Sequence, residues 1–342
     1  MNLSSLSLAE SLKELVQALE VRFLFPSILF VTFNLIVFSR EHINIMEDIK
    51  ILNEFSALFL VMVVIIFGYV LSSLNGVIIR TIEGYTFNIS FLKNWEKKKL
   101  DKLNKEIDKY KEKSRDVEDF FDDIEEHIAI NKHTPQSLIK LKELLNTLNI
   151  EYKIKIDNFR NHKDKRFPDN ELLMTPIGNV IAAFEHYPYK RYGIDSVALW
   201  PRLYPILERK KFLSIVQKER VTFDFLLNSS LVFFLILIES YFILIYIFFT
   251  TTSFSYFYFL SMSTSFILIC LFLYGAFNVA KDWGTLVSTA FDLYRDDLRK
   301  SLKITSIPTT LDDEKKMWKS ISRFIKHSDD KFDRFYLNSD KE

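Results

Sequence analysis

The stretch RYGIDSVALWPRL, residues 191–203, lies in the polar middle of a chain whose flanks are strongly apolar on both sides. It contains a glycine, a tryptophan followed directly by a proline, and charged residues of both signs. Glycine and proline determine where a backbone turns, and tryptophan offers a large contact area. We therefore predict that the polar middle of the chain folds around this stretch.

The composition of the chain is typical of a membrane protein. Of its 342 residues, 33 are phenylalanine and 15% are aromatic, and charged residues separate four apolar blocks. The formal net charge of +1 gives no reason to expect nucleic acid as a partner. Seven glycines are too few for most glycine-rich nucleotide loops, and no cofactor is expected. Cys270 is the one cysteine, which excludes an intramolecular disulfide.

The four apolar blocks predict four membrane-spanning helices, because a backbone in hydrocarbon must satisfy its polar groups within its own segment. The predicted spans are 23–39, 55–79, 225–249 and 254–280. Short polar segments join the first span to the second and the third to the fourth. We therefore predict two transmembrane helical hairpins, 23–80 and 225–280. The expected fold class is all-α, an integral membrane protein with its soluble mass in 81–224.

The orientation is predicted from lysine and arginine, which concentrate on the cytoplasmic side of membrane spans. The two outer loops hold few basic residues, with Arg40 and Lys50 in the first and none in 250–253. The segments on the other side hold many: Arg80, Lys93, Lys97, Lys98, Lys99, Arg202, Arg209, Lys210, Lys211, Lys218, Arg220, Lys281, Arg295, Arg299 and Lys300. Both termini and the middle of the chain are therefore predicted to be cytoplasmic.

The two ends of the chain are predicted to be helical. Residues 1–22 have a capping-box spacing near their start and leucines every three or four residues, as an amphipathic helix requires. This helix is expected to lie on the membrane surface or on the cytosolic domain. Residues 281–342 continue from the last span as cytosolic helices, and Thr310 with Asp313 is expected to start the final one.

Residues 93–150 of the cytosolic domain are predicted to form a helical hairpin. Apolar residues recur at alternating spacings of three and four, with a polar interruption at Ser114. Lysines dominate 93–113 and acids dominate 116–126, which favours antiparallel pairing. The pairing is expected either within one chain, as an intramolecular coiled coil, or between subunits. The alternation in 150–157 predicts either a strand or the tail of the second helix.

The region 175–204 is predicted to contain two short helices. The first has an apolar face that follows Thr175 and Pro176, a pair typical of a helix start. The segment 187–189, with a proline at its centre, is expected to break this helix. Pro201 is expected to end or kink the second helix, since proline lacks the N–H that a helix interior uses.

Two patches of the sequence resemble a largely uncharacterised group of bacterial four-span membrane proteins. The first patch follows the pattern L-GNV-x-A-E and then RYGxDxVxxWPRL, and the second is AFDLYRDDL at 290–298. The matching positions of the first patch are Gly178, Asn179, Val180, Ala183, Glu185, Arg191, Tyr192, Gly193, Asp195, Val197, Trp200, Pro201, Arg202 and Leu203. With the order of the spans, the resemblance covers most of the chain but not 93–150. It implies a shared fold in a bacterial inner (plasma) membrane, and it supplies no activity.

The first candidate site consists of Arg191, Tyr192, Asp195, Trp200 and Arg202. Arg191, Asp195 and Arg202 are predicted to form an ion-pair cluster near the lipid headgroups. The stretch serves either as a buried junction between the cytosolic domain and the third span, or as a pocket for a ligand or lipid headgroup. In the second case arginine forks would bind phosphate.

The second set of candidates is polar and lies inside the predicted spans. Glu239 stands within the apolar sequence LILIESYFILI, and a carboxylate at such depth usually faces the interior of a helix bundle. It is predicted either to bond a serine of the fourth span or to line a pore or proton path. The candidate serines are Ser261, Ser263 and Ser265. Asn34 and Asn75 are further candidates for the same interior.

Enzyme signatures are otherwise missing, since the six histidines are scattered and no zinc-helix or nucleophile-elbow motif occurs. Glu185 and His186 beside Asp195 form only a weak acid–base candidate, and no metal site is predicted. We therefore expect a homo-oligomeric membrane effector or channel-like protein controlled by its cytosolic domain. The alternatives are a membrane-tethered scaffold that recruits partners through the cytosolic hairpin, and a membrane-bound hydrolase. The expected partners are the lipid bilayer, further copies of the chain, and a cytosolic protein or small-molecule signal.

Overall fold

The part of the chain that the structure describes is helical. The computed structural model describes residues 21–41, 54–86, 89–130, 136–169, 171–251 and 255–327. Its helices are α1 (Val21–Glu41), α2 (Glu54–Glu83), α3 (Ser90–Ile130), α4 (Gln136–Arg166), α5 (Pro176–Tyr192), α6 (Ser196–Arg209), α7 (Leu213–Thr251), α8 (Tyr256–Ser301) and α9 (Leu311–His327). The all-α prediction is confirmed for these residues, which contain no strand. The predicted N-terminal helix 1–22 lies outside them, apart from Val21 and Arg22.

Within the described residues, three helices are long and apolar enough to cross a membrane, which indicates a membrane protein. Their qualifying segments are Leu58–Glu83 of α2, Leu213–Thr250 of α7 and Tyr256–Ser301 of α8. The apolar stretch of α1, Val21–Val37, is shorter, so a fourth span remains a prediction. Both later helices extend beyond the predicted spans, because α7 begins before residue 225 and α8 continues past residue 280.

The first of two compact units comprises Met1–Ile82 and Tyr204–Leu286. In its interior, α1, α2 and α7 pack together through apolar side chains. The buried members of this cluster are Phe23, Ile65, Leu71, Val232 and Ile236. Large side chains on the outside of the same helices, such as Phe59, Ile66 and Phe242, are exposed. An exposed apolar surface of this kind is expected where helices face lipid.

The second unit comprises Glu83–Leu203 and Val287–Glu342, and its longest part is the antiparallel pair of α3 and α4. Tyr110 of α3 stacks on Phe159, late in α4, with ring centroids 5.8 Å apart. Glu125, late in α3, pairs instead with Lys142, near the start of α4. The buried apolar residues of the two helices are Ile107, Ile124 and Ile156.

The pair of α3 and α4 also contains a buried polar contact. Ser114 is 6% exposed, and its hydroxyl donates to Asn149 Oδ1 at 2.7 Å. The Asn149 amide in turn donates to Glu118 at 3.1 Å. Because α4 continues to Arg166, residues 150–157 belong to the second helix, and the strand alternative is wrong.

The prediction that residues 187–189 break the first helix of the region 175–204 is wrong, because α5 continues through Pro188 to Tyr192. Phe184, Pro188 and Tyr192 recur every four residues and are all buried, so packing on one face maintains the helix across the missing N–H. Gly193 then ends α5 with a φ of 80°, a left-handed conformation that glycine adopts without strain.

Proline also fails to end α6, which runs through Pro201 and Pro205 to Arg209. Both prolines are exposed, whereas Leu199, Leu203 and Leu207 are fully buried. A proline on the outer face disturbs a helix least, since the carbonyl group that loses its partner can bond to solvent.

The last helix, α9, begins where the sequence predicts. The Asp313 N–H donates to the Thr310 hydroxyl at 3.2 Å, and this hydroxyl donates to the Asp313 carboxylate at 2.7 Å. Met317, Trp318 and Ile321 form its buried face, and the helix packs against α5. Residues of α9, more than a hundred positions later in the chain, therefore pack on the region 175–204.

Candidate functional site

Asp195 links the turn between α5 and α6 to α9. Its Oδ1 accepts a hydrogen bond from the Ala198 N–H at 3.1 Å, which caps the start of α6. Its backbone N–H donates to the Ser322 hydroxyl at 3.0 Å, and its Oδ2 lies 3.0 Å from the Lys326 ammonium. Hydrogen bonds from the backbone and from Lys326 lower the pKa of this carboxyl against the opposing effect of burial.

The predicted ion-pair cluster of Arg191, Asp195 and Arg202 is wrong. The Asp195 carboxylate binds Lys326 instead, which the prediction from the sequence did not include. Arg191 and Arg202 are both exposed, and the Arg202 guanidinium donates to the Ala198 carbonyl at 2.8 Å. The two arginines are therefore surface residues on either side of Asp195 in the sequence.

The two sequence patches meet at Asp292 of α8. The Tyr192 hydroxyl donates to its carboxylate at 2.8 Å, and the Tyr187 hydroxyl lies 3.1 Å from both of its oxygens. The Arg295 guanidinium lies over the Tyr192 ring at 4.3 Å. Nearby, half-buried Trp200 packs on Phe291 with ring centroids 6.0 Å apart. These contacts join the RYG and AFDLYRDDL patches within one unit.

Both tyrosines at Asp292 act as hydrogen-bond donors. Burial, together with the charge of Asp292, raises the pKa of Tyr187 to about 12. Burial and the hydrogen bond to Asp292 likewise raise the pKa of Tyr192. Two phenols that donate to one carboxylate thus hold Asp292 in place against α5.

Glu185 is the one residue of the first patch whose charge changes near neutral pH. Burial and, to a smaller extent, the negative charges of Glu83 and Asp195 together raise the pKa of its carboxyl to about 7. The predicted acid–base partner, His186, lies against the Tyr189 ring at 5.4 Å. The structure thus brings Glu185 close to two other carboxyls.

Replacement of Glu185 by glutamine is expected to stabilise the protein at pH 8 and to change little at pH 4. A carboxyl with a folded pKa of about 7 and a usual value of 4.5 favours folding in its protonated form. Its contribution is complete below pH 4.5 and is lost as the pH rises to 7. Glutamine mimics the protonated form, so the expected gain at pH 8 is about 1–3 kcal/mol.

Thermal unfolding of Glu185→Gln and of the parent chain at both pH values measures this effect. Glu208→Gln, at an exposed acid, serves as the matched control and is expected to change neither curve. An equal gain in stability at the two pH values would show that the effect does not come from ionisation of Glu185.

Sequence reasoning did not identify the structural role of Gly178 and Asn179. The Asn179 side chain is fully buried, accepts from the Leu173 N–H at 2.7 Å and donates to the Leu173 carbonyl at 3.0 Å. Thr175 caps α5 and donates its hydroxyl to the Glu83 carbonyl at 3.1 Å. A Cβ on Gly178 would lie 2.0 Å from that same carbonyl oxygen. The start of α5 therefore fits only a glycine at this position.

Among the intramembrane candidates, the structure brings Glu239 and Asn34 together. Glu239 is half-buried and lies near Asn34, whose amide donates to the Phe30 carbonyl at 3.0 Å. Two of the three candidate serines of the fourth span are engaged elsewhere: Ser261 bonds Ser240 at 2.9 Å, and the Ser263 hydroxyl donates to the Phe259 carbonyl at 2.9 Å. Asn75 lies elsewhere and accepts from Asn228 at 3.4 Å.

Asn75 belongs to a buried polar network that the sequence analysis missed. Asp224 of α7 is fully buried and forms an ion pair with Arg22 of α1. The Asn228 amide donates to the Asp224 carbonyl at 2.8 Å, one helical turn earlier. The polar residues at 224 and 228, at the start of an apolar run, are the sequence signal for this network.

No set of three or more histidine, cysteine, aspartate or glutamate side chains in the described part of the chain could hold a metal ion. Comparison of the whole chain with protein-family models, curated proteins and solved structures found no match. The resemblance to the bacterial four-span group therefore remains a prediction.

Proposed function

We propose that the chain is a homo-oligomeric, channel-like membrane effector whose cytosolic domain controls it. It would span the inner (plasma) membrane four times, with α1 as the additional span and with both termini in the cytoplasm. The three long apolar helices support membrane insertion. The concentration of lysine and arginine on one side of the spans supports the orientation. The resemblance to bacterial four-span proteins supports the choice of membrane.

The polar pair of Glu239 and Asn34 is the observation that carries this proposal. Glu239 lies on α7 and Asn34 on α1, both within helices whose sequences are mainly apolar. Ionisable residues inside a membrane are rare, usually face a bundle interior or a hydrated cavity, and mark ion or proton pathways. Glu239 is only half-buried within a single chain, so its open side is available to a shared axis between subunits.

A second feature of the apolar helices supports oligomerisation. Gly76 of α2 has no atom within 4 Å of the place where a Cβ would stand, and Ser72, one turn earlier, is exposed. Small residues one turn apart allow two membrane helices to approach closely. This face of α2 is therefore suited to contact a second copy of the chain.

Control by the cytosolic domain would act through the 191–203 stretch. Arg191 and Arg202 are exposed there and are available to a phosphate-bearing signal or lipid headgroup. Asp195 and Tyr192 connect the same stretch to α9 and α8. A ligand bound to the two arginines would thus act on the turn between α5 and α6, which contacts α8 and α9.

Replacement of Glu239 by glutamine tests the proposal. The variant keeps the size and hydrogen bonding of the side chain but removes its charge, so we expect ion flux through reconstituted liposomes to change in rate or in pH dependence. The oligomer should keep its size in detergent. Tyr241→Phe, two residues away on an exposed position, is the matched control and should leave flux unchanged. Unchanged flux in Glu239→Gln, or no flux in the parent protein, would rule out the channel.

A scaffold is the second candidate function, and a face of α4 favours it. Ile139, Ile150 and Ile154 are about half exposed and fall on one side of that helix. Exposed apolar side chains on a polar helix are typical of a surface that pairs with another protein. If the liposome experiment shows no flux while the oligomer persists, this surface becomes the basis of the function.

A further inference from the structure

The first turns of α3 have an outward face that is aromatic at its start and basic after it. Phe91 and Trp95 are 71% and 55% exposed, and their ring centroids lie 6.3 Å apart. Lys98, Lys102 and Lys105 follow at spacings of three and four residues and are exposed as well. An α-helix turns by about 100° per residue, so these five side chains lie within about 80° of one another. We call them the aromatic–basic face.

The other side of the same turns is packed against the protein. Glu96 and Ile107 are 3% and 4% exposed, and Glu96 lies 3.7 Å from the Arg166 guanidinium. Since Glu96 is the acid between Trp95 and Lys98, its burial removes negative charge from the outward side. The aromatic–basic face therefore consists of two aromatic rings and three cations, and exposed Asp101 borders it about 40° beyond Lys105.

The position of this face in the chain brings it close to a membrane. The apolar helix α2 ends at Glu83, and α3 begins at Ser90. A chain rises at most about 3.6 Å per residue, so the start of α3 lies within about 25 Å of the end of α2 along any path. Tryptophan and phenylalanine are favoured at the level of lipid headgroups, and lysines next to a span bind anionic lipid.

We propose that the aromatic–basic face of α3 docks on anionic phospholipid headgroups of the bilayer that α2 crosses. Phe91 and Trp95 would enter the boundary between headgroups and acyl chains, and the lysines would lie over the phosphates. Charge complementarity favours lipid over a protein partner, because three aligned cations against one bordering acid, Asp101, match a uniformly anionic surface. The proposal depends on membrane insertion of α2 and is independent of channel activity.

The test uses the full chain in lipid nanodiscs, with Cys270→Ser and a spin label on Asn94→Cys. Asn94 is exposed and borders the aromatic–basic face. In discs of phosphatidylcholine alone, the label should be open to a water-soluble nickel complex. In discs that also contain phosphatidylglycerol, we expect several-fold less collision with nickel and more with oxygen, which partitions into lipid.

Paired lysine variants identify the cause of this difference. Lys98→Gln with Lys102→Gln should abolish the response to phosphatidylglycerol. Lys97→Gln with Lys111→Gln removes the same charge, but these side chains point about 120° and 160° away from Phe91, so the response should remain. Phe91→Ser with Trp95→Ser should reduce the oxygen collision rate in anionic discs.

Two results would overturn the proposal. Equal nickel collision rates in the two kinds of disc would show that anionic lipid is not the occupant. Shielding from both nickel and oxygen, whatever the lipid, would place a protein surface on α3 instead. Ion flux is not part of the readout, so failure of the channel proposal would leave this result interpretable.

Discussion

Replacement of Asp224 by alanine is expected to destabilise the membrane helices by about 3–5 kcal/mol, because it leaves a largely buried arginine without its counterion. Asp224 is fully buried, and the side chain of its partner, Arg22, is 18% exposed. The two residues belong to α7 and α1 and lie 202 positions apart in the chain. Their ion pair therefore joins distant parts of the first unit. Thermal unfolding in detergent measures the loss.

A double variant separates the loss of the pair from the loss of packing. Arg22→Met with Asp224→Leu replaces both charges by apolar groups of similar size, and such replacements are often neutral or stabilising. We expect it to recover most of the stability that Asp224→Ala loses. Asp282→Ala, at an exposed acid, is the control and should remain within about 0.5 kcal/mol of the parent chain. If Asp224→Ala matches that control, the ion pair does not stabilise the helices.

Gly178→Ala is expected to have the second largest effect, a loss of about 3 kcal/mol at the upper end of the range for overpacked interiors. The added Cβ would lie 2.0 Å from the Glu83 carbonyl oxygen and 2.9 Å from the Thr175 hydroxyl oxygen. A main-chain carbonyl cannot rotate away as a side chain can. Either α5 moves off Glu83, or the hydrogen bond from Thr175 to that carbonyl breaks.

Gly275→Ala provides a matched control, because a Cβ there would meet only the flexible Leu226 side chain, at 3.4 Å. It should change stability little, or raise it by up to about 1 kcal/mol through helix propensity. Thermal unfolding and tryptic digestion of the full chain compare the two variants. We expect Gly178→Ala to be digested faster within 83–203, and equal resistance of the two variants would contradict the close approach at Glu83.

The helices of this chain are predictable because they follow from local periodicity and from apolar length. The apolar blocks and the start of α9 at Thr310 are examples. The error occurs at Pro188, where a local rule predicts a helix end; for Pro201 the same rule predicts an end or a kink, and the helix does not end there. Burial of one helix face stabilises α5 across its proline, and sequence alone does not reveal that packing.

The candidate site was predictable only in part, because its partners come from distant segments. Tyr192 and Asp195 lie in the predicted stretch, but their partners Asp292 and Lys326 follow roughly a hundred residues later. The structural role of Asn179 was not predicted, because its bonds to the backbone of Leu173 have no sequence signature and its contact with Glu96 spans 83 residues. The pairing of Glu239 with Asn34 likewise depends on how α7 packs on α1.

The second unit is made from two stretches of chain, with α7 and the apolar part of α8 between them. During synthesis the ribosome makes Glu83–Leu203 first and the covering residues of α9 last. At about 5–20 residues per second, the ribosome completes α9 several seconds after it has made the first stretch. Throughout that delay Asp195 lacks Ser322 and Lys326, and Tyr192 lacks Asp292. Completion of the second unit therefore depends on completion of translation, and premature termination before Val287 would leave a permanent target for chaperones and proteases.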